Sequence, residues 1–223
     1  MAHARSCLCC HGRRAMIGGA IATAMVGRAA RAQTTLAPDD SVATLMAGNA
    51  RFVAGQLHSF GEDVRALQRN TVAKQEPFAA VLSCADSRVP VELIFDQSLG
   101  RIFANRLAGN VATPEIIASL EYGAAVLGTT AILVLGHSNC GAVAAAMAGK
   151  PVPGQISTLY RPIRPAIDRA HGDLEAAIRA NAMIQAGLLR DASPVLSDLV
   201  KQGKLKIAAG YYDLATGKVS LLG

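Results

Sequence analysis

Tryptophan is absent from this sequence, and all aromatic residues together make up only 4% of it. A core built without them must be filled with aliphatic side chains, and 51% of the 223 residues are hydrophobic. Ala, Val, Leu, Ile and Gly dominate, the balance of tightly packed α/β proteins with parallel sheets. No apolar run reaches the roughly 20 residues that a membrane span requires. There is no internal repeat and no low-complexity tract. The length suits one domain of ordinary size or a little above.

Acidic residues are missing from positions 1–32, which hold Arg5, Arg13, Arg14, Arg28 and Arg31. Of the 22 basic residues, 17 therefore remain against 16 acidic ones, so the formal charge of +6 resides almost wholly in this leader. The rest of the chain gives no electrostatic case for a nucleic-acid partner. Within the leader, Arg13-Arg14 precede an apolar stretch from Ala15 to Val26, and Ala30-Arg31-Ala32 forms a small-x-small pattern before Gln33. These features predict a cleaved export signal over 1–32 of the twin-arginine kind, and a periplasmic location. Residues 33–40 read as a linker and 41–223 as the domain, with no stable membrane insertion of the mature chain.

Cysteine is scarce once the leader is set aside. Cys7, Cys9 and Cys10 precede its apolar stretch, and no Cys follows where a lipoprotein would need one. Cys84 and Cys140 remain. Two cysteines in an oxidising compartment ordinarily suggest one disulfide, but their neighbours argue otherwise.

The predicted elements begin with a helix capped by Asp40 or Ser41 and running to about Gly55, on an apolar stripe of Val42, Leu45, Met46, Asn49, Phe52 and Val53. A second helix covers roughly 62–75. Strands are predicted at Phe78–Cys84, Arg101–Arg106 and Thr130–Gly136. Helices are predicted from Pro114 to about Leu127, from Cys140 to Ala148, and in segments reaching about Gln202, where Pro162 and Pro165 complicate the first. Lys204–Leu214 and Lys218–Leu222 read as a hairpin around Ala215-Thr216-Gly217. Doubly apolar strands alternating with helices predict an α/β fold: a mostly parallel sheet flanked by helices, with a C-terminal hairpin or edge strand.

Two of these strands end in residues that bind metals, Cys84-Ala85-Asp86-Ser87-Arg88 and His137-Ser138-Asn139-Cys140. Taken singly, Cys84 reads as a small buried hydrophobe, His-x-x-Cys as a chance pairing and Asp86 beside Arg88 as a structural ion pair. Together they place both remaining cysteines, and one of the three remaining histidines (His58, His137, His171), at the ends of two strands. The carboxyl ends of parallel strands are where sites assemble. Two thiolates and one imidazole suit tetrahedral zinc, and three protein ligands leave a fourth position open for catalysis. Asp86 is the candidate fourth ligand, and Arg88 competes for its carboxylate.

Cys-x-Asp-x-Arg, followed about fifty residues later by His-x-x-Cys, resembles the β-class carbonic anhydrases. Segments 84–90, 95–97, 106–111, 119–123, 136–143 and 210–213 share the likeness, which covers roughly 41–223. The resemblance implies reversible hydration of carbon dioxide to bicarbonate and a proton, with Zn²⁺ held by Cys84, His137 and Cys140. It implies that Asp86 accepts a hydrogen bond from the attacking hydroxide and that Arg88 holds Asp86 off the metal. It places Gln75, Phe103, Ala108 and Tyr122 in the substrate pocket, and implies a homodimer or dimer of dimers with sites at the subunit interface. Some family members carry a Trp three residues before the first Cys ligand, within a second bicarbonate site. Val81 stands there instead, so an open metal site with Asp86 on Arg88 is expected, without cooperative bicarbonate inhibition. Three alternatives remain: a carbon disulfide or carbonyl sulfide hydrolase on the same scaffold, a non-catalytic zinc or bicarbonate-binding protein, and a module stapled by a Cys84–Cys140 disulfide.

Overall fold

The computed structural model describes residues 34–59, 61 and 64–223. The expected leader, its arginine pair and the cleavage point lie outside the described residues.

The strands are β1 (Ala79–Ser83), β2 (Ile102–Arg106), β3 (Ala131–His137), β4 (Lys206–Tyr212) and β5 (Val219–Leu222). They form one sheet in the order β2-β1-β3-β4-β5, parallel throughout except for the antiparallel β4–β5 pair. Every residue of β1 and β3 is buried, which is why both read as continuous apolar runs. Helices cover both faces: α1 (Pro38–Val53), α2 (Val64–Thr71), α3 (Val91–Ile94), α4 (Pro114–Glu121), α5 (Gly141–Ala148), α6 (Tyr160–Ala170), α7 (Leu174–Ala192) and α8 (Pro194–Lys201).

Side-chain alternation along the strands separates the two layers. Val81, Leu133 and Leu135 join Val42 and Leu45 of α1 and Ile94 of α3 on one face. Ala80, Leu82, Ile132 and Val134 join Leu120 of α4, Ala182 and Leu189 of α7 and Leu196 of α8 on the other. Among the described residues, no helix is long and apolar enough to cross a membrane.

Some boundaries differ from expectation. Helix α1 starts at Pro38, inside the expected linker, and neither Asp40 nor Ser41 caps it. Ala37 caps it with backbone alone, Pro38 supplies a preset φ at the first turn, and Asp39 and Asp40 lie where the helix dipole favours acids. The helix from Pro114 continues past Glu121 as a π-helical turn, Tyr122–Val126, before Gly128 turns the chain at a φ of 78°. Cys140 is the residue before α5 rather than its first turn. Pro165 lies inside α6, which continues through it to Ala170.

Candidate metal centre

The central pair β1 and β3 sets the site. Ser83 lies opposite Leu135, so Cys84 and His137 leave neighbouring strands one and two residues past that rung. His137 is the last residue of β3, and a tight turn follows in which Asn139 adopts a positive φ of 54°. That turn brings Cys140 back beneath the strand end. The two sulfurs and an imidazole nitrogen lie within 4.8 Å of one another, and all three residues are buried. Cys84 and Cys140 are both free thiols, so the disulfide-stapled alternative is not what the structure adopts.

The donors suit a metal on three counts. First, His137 is fully buried and its Nε2 has no hydrogen-bond partner, while Nδ1 lies 2.9 Å from the Ser138 carbonyl. With Nδ1 donating to that carbonyl, Nε2 presents a lone pair to the two sulfurs. A buried polar atom left without a partner is costly and calls for an explanation such as an ion. Second, Cys84 titrates well below an ordinary thiol. The Cys140 thiol hydrogen bond is the largest cause; burial opposes it, and the Gly109 amide reinforces it. The same sharing with Cys84, together with burial, pushes Cys140 up. Third, two sulfurs and one imidazole nitrogen are a zinc-type donor set.

Asp86 stands beside this cluster without entering it. Its Oδ1 accepts from Arg88 Nε and from the Arg88 backbone N–H, both at 2.9 Å, and Oδ2 accepts from Arg88 Nη2 at 2.7 Å. Oδ2 is 3.8 Å from His137 Nε2. The Arg88 guanidinium, against the opposing effect of burial, holds the Asp86 carboxyl well below the usual carboxylate range. Asp86 is thus paired with Arg88, the pairing on which the expectation of an open site rests. Val81 is fully buried in the apolar layer that also contains Tyr212.

The expected pocket residues occupy three places. Ala108 lies in a short 3-10 turn, Ala108–Asn110, next to Gly109, whose N–H donates to Cys84 Sγ at 3.3 Å. Phe103 on β2 and Tyr122 at the end of α4 form a ring pair with centroids 6.2 Å apart. Gly123 makes that pairing possible, since a Cβ there would come within 2.9 Å of the Phe103 ring. Gln75 is exposed in the segment between α2 and β1, and Tyr122 is 48% exposed. His58 and His171 are exposed.

The family pattern described as carbonic anhydrase matches residues 79–219. A carbonic anhydrase of Mycobacterium tuberculosis is 35% identical over 187 residues, 79% of this chain and 89% of its own length. The chain belongs to the β-class carbonic anhydrase family. Another carbonic anhydrase, from Mycolicibacterium smegmatis, is 37% identical over 186 residues, 78% of this chain and 88% of its own. Among solved structures, a Coccomyxa β-carbonic anhydrase in complex with acetazolamide superposes with a TM-score of 0.64 at 26% identity, covering 71% of this chain and 78% of that one. The β-carbonic anhydrase CcaA gives 0.66 at 24% identity over 82% of this chain and 95% of that one, a likeness of fold.

Three contributors escaped the sequence reading. Arg106, at the end of β2, donates Nε to the Cys84 carbonyl at 3.2 Å and Nη2 to the Asp86 carbonyl, so one side chain clamps the whole Cys-x-Asp loop. Its place at a strand end was the available signal. Asn181 and Gln185 are buried on α7, with Gln185 Nε2 donating to Asn181 Oδ1 at 3.2 Å. Two amides four residues apart within a stripe of Ala177, Ile178, Ala182 and Leu189 were the signal there.

Proposed function

We propose that the protein catalyses the reversible hydration of carbon dioxide to bicarbonate and a proton, with Zn²⁺ held by Cys84, His137 and Cys140. The observation that carries this reading is the Asp86 carboxylate, pinned by Arg88 beside three converging donors rather than joined to them. Zinc, when bound, would act as a Lewis acid that makes hydroxide available near neutral pH.

The chain's own residues do the rest. Asp86 accepts the hydrogen bond of the attacking oxygen and so aims a lone pair at the substrate carbon. Arg88 keeps that carboxylate ionised and off the metal position, and Arg106 fixes the loop that carries it. Ala108, Phe103 and Tyr122 supply apolar surface for a small uncharged gas. Phe103, Tyr122 and Val126 are partly or largely exposed near the β2 edge of the sheet, which supports an interface there with a second subunit, whose Gln75 would complete the pocket.

The reaction is tested by assaying the purified protein on carbon dioxide, carbonyl sulfide and carbon disulfide. Hydration of carbon dioxide that falls sharply in Asp86→Asn supports the reading. Turnover of the sulfur gases alone would replace it. We further propose export by the twin-arginine route, with cleavage before Gln33. Arg13→Lys combined with Arg14→Lys is expected to block export, and the exported protein is expected to begin at or near Gln33.

A further inference from the structure

The turn that supplies the N–H to Cys84 is an unfavourable piece of backbone. Gly109 has φ 74° and ψ 17°, and Asn110 follows at φ 45°, so two consecutive residues occupy the left-handed region. Glycine suits position 109 because its positive φ strains any other side chain, and a Cβ would also come within 2.9 Å of the Ile163 Cδ1 methyl. Left-handed backbone persists where its surroundings over-determine it. The restraint at the start of the turn is local: Leu107 N–H donates to the Ser83 carbonyl at 3.1 Å and Asn110 N–H to the Leu107 carbonyl at 2.8 Å. The restraint on its far side comes from a different element.

Asn181 Nδ2 donates to the Gly109 carbonyl at 2.8 Å, and Gln185 Oε1 accepts from the Ala112 N–H at 3.0 Å. The two amides are bonded to each other, and Gln185 Nε2 also donates to the Pro162 carbonyl at 3.1 Å, tying α6 into the same cluster. Both side chains are essentially fully buried. The bonds to Gly109 and Ala112 and the bond between the two amides are buried, where water cannot replace them, so loss of either amide strands a main-chain group of the turn. Helix α7 thus grips the turn on both sides of Asn110 and Val111, and the far end of that grip is the N–H···S contact to a metal ligand.

We propose that Asn181 and Gln185 are positioning residues for the metal centre: they hold the 109–112 segment so that the Gly109 N–H points at the Cys84 sulfur. This rests on the reading of Cys84 as a zinc ligand. An N–H donated to a ligating sulfur draws charge from it and fixes its direction, and such outer contacts commonly change metal affinity or activity by about 10- to 100-fold. Neither residue touches the donors or the substrate position; each acts through the backbone of the turn.

The test compares the full-length wild type with Asn181→Leu, Gln185→Met and Leu45→Ala, the last buried on the opposite face of the sheet as a control for lost stability. Zinc affinity is read by chelator competition. The cobalt(II)-substituted proteins give the sulfur-to-metal charge-transfer band. With less hydrogen bonding the sulfur lone pairs rise in energy, so the band moves to longer wavelength. Asn181→Leu is expected to bind zinc about 10-fold more weakly and to show that red shift; Gln185→Met is expected to move both in the same direction by less. Leu45→Ala is expected to leave both at their wild-type values. If Asn181→Leu does not fold, Gln185→Met decides the question. Wild-type affinity and an unmoved band in the folded variants would overturn the proposal, as would the same changes in Leu45→Ala. A wild type that binds zinc with the expected variant pattern yet hydrates no carbon dioxide would overturn the proposed reaction alone. A wild type that binds neither metal would overturn both.

Discussion

The ends of β1 and β3 and the flank formed by β2 and α4 carry the two halves of the proposed site, and they are built in opposite ways. At the strand ends every partner comes from this one chain: three buried donors, an Asp–Arg pair with three hydrogen bonds, and Arg106 on two carbonyls. At the flank, Phe103 is half-buried and Tyr122 and Val126 are about half exposed. One chain suffices for the metal position, whereas the pocket walls present an unfinished apolar face. Chemistry and substrate enclosure should therefore respond to different substitutions.

The largest expected effect at the strand ends is that of Cys84→Ser. A hydroxyl is a poor substitute for a thiolate toward zinc. Metal and carbon dioxide hydration are expected to vanish together, as read by metal analysis and stopped-flow assay, and retention of either would show that the strand ends are not the centre. Asp86→Asn comes next. The variant is expected to keep its zinc and lose about 10²- to 10⁴-fold in kcat/KM, the range typical of a positioned proton-handling group. Full activity in a zinc-replete Asp86→Asn protein would remove this carboxylate from the mechanism.

On the flank the expected losses are smaller. Tyr122→Ala should keep stoichiometric zinc while weakening subunit association in sedimentation experiments and lowering kcat/KM by about 10-fold, the scale of one well-placed apolar contact. Zinc loss in that variant would erase the distinction between the two regions.

The mildest expected effect on catalysis is at Asp96. Its carboxylate accepts from the His58 and Ser59 amides and from Arg51, and its side chain is wholly buried. Burial works against its charge, but these donors outweigh it and hold the carboxyl below its usual range. Asp96 therefore contributes stability that is fully present above the unfolded-state pKa of about 3.9 and lost as pH falls through the lower folded-state value. Asp96→Asn is expected to cost about 2–3 kcal/mol near neutral pH and to flatten the acid limb of a denaturation series, with activity at neutral pH changed less than two-fold. An unchanged acid limb would show that the charge on Asp96 is not what the fold uses.

Legibility in the sequence followed the same division. The central strands were readable because a strand covered on both faces must be apolar throughout, and the ligands because they directly follow those runs. Helix α1 starts earlier than a side-chain cap would place it, because Pro38 and a backbone cap at Ala37 suffice. The π-helical turn at Tyr122–Val126 left no trace in the apolar pattern. Arg106, Asn181 and Gln185 act on main-chain carbonyls and amides of loops distant in sequence, and spacing cannot show which loop a buried polar side chain will meet. The absence of Trp remained informative: with Val81 in the apolar layer, bicarbonate is expected to inhibit without cooperativity, as a simple concentration series would show.

On the proposed reading, one zinc ion at the ends of β1 and β3 is what makes this protein a carbon dioxide hydratase. The most direct measurement is hydration activity followed while metal is removed by a chelator and then titrated back. Activity should fall with zinc content, return in proportion to added zinc and saturate at one ion per chain. Undiminished hydration by zinc-free protein, or a fully zinc-loaded protein with none, would contradict the account.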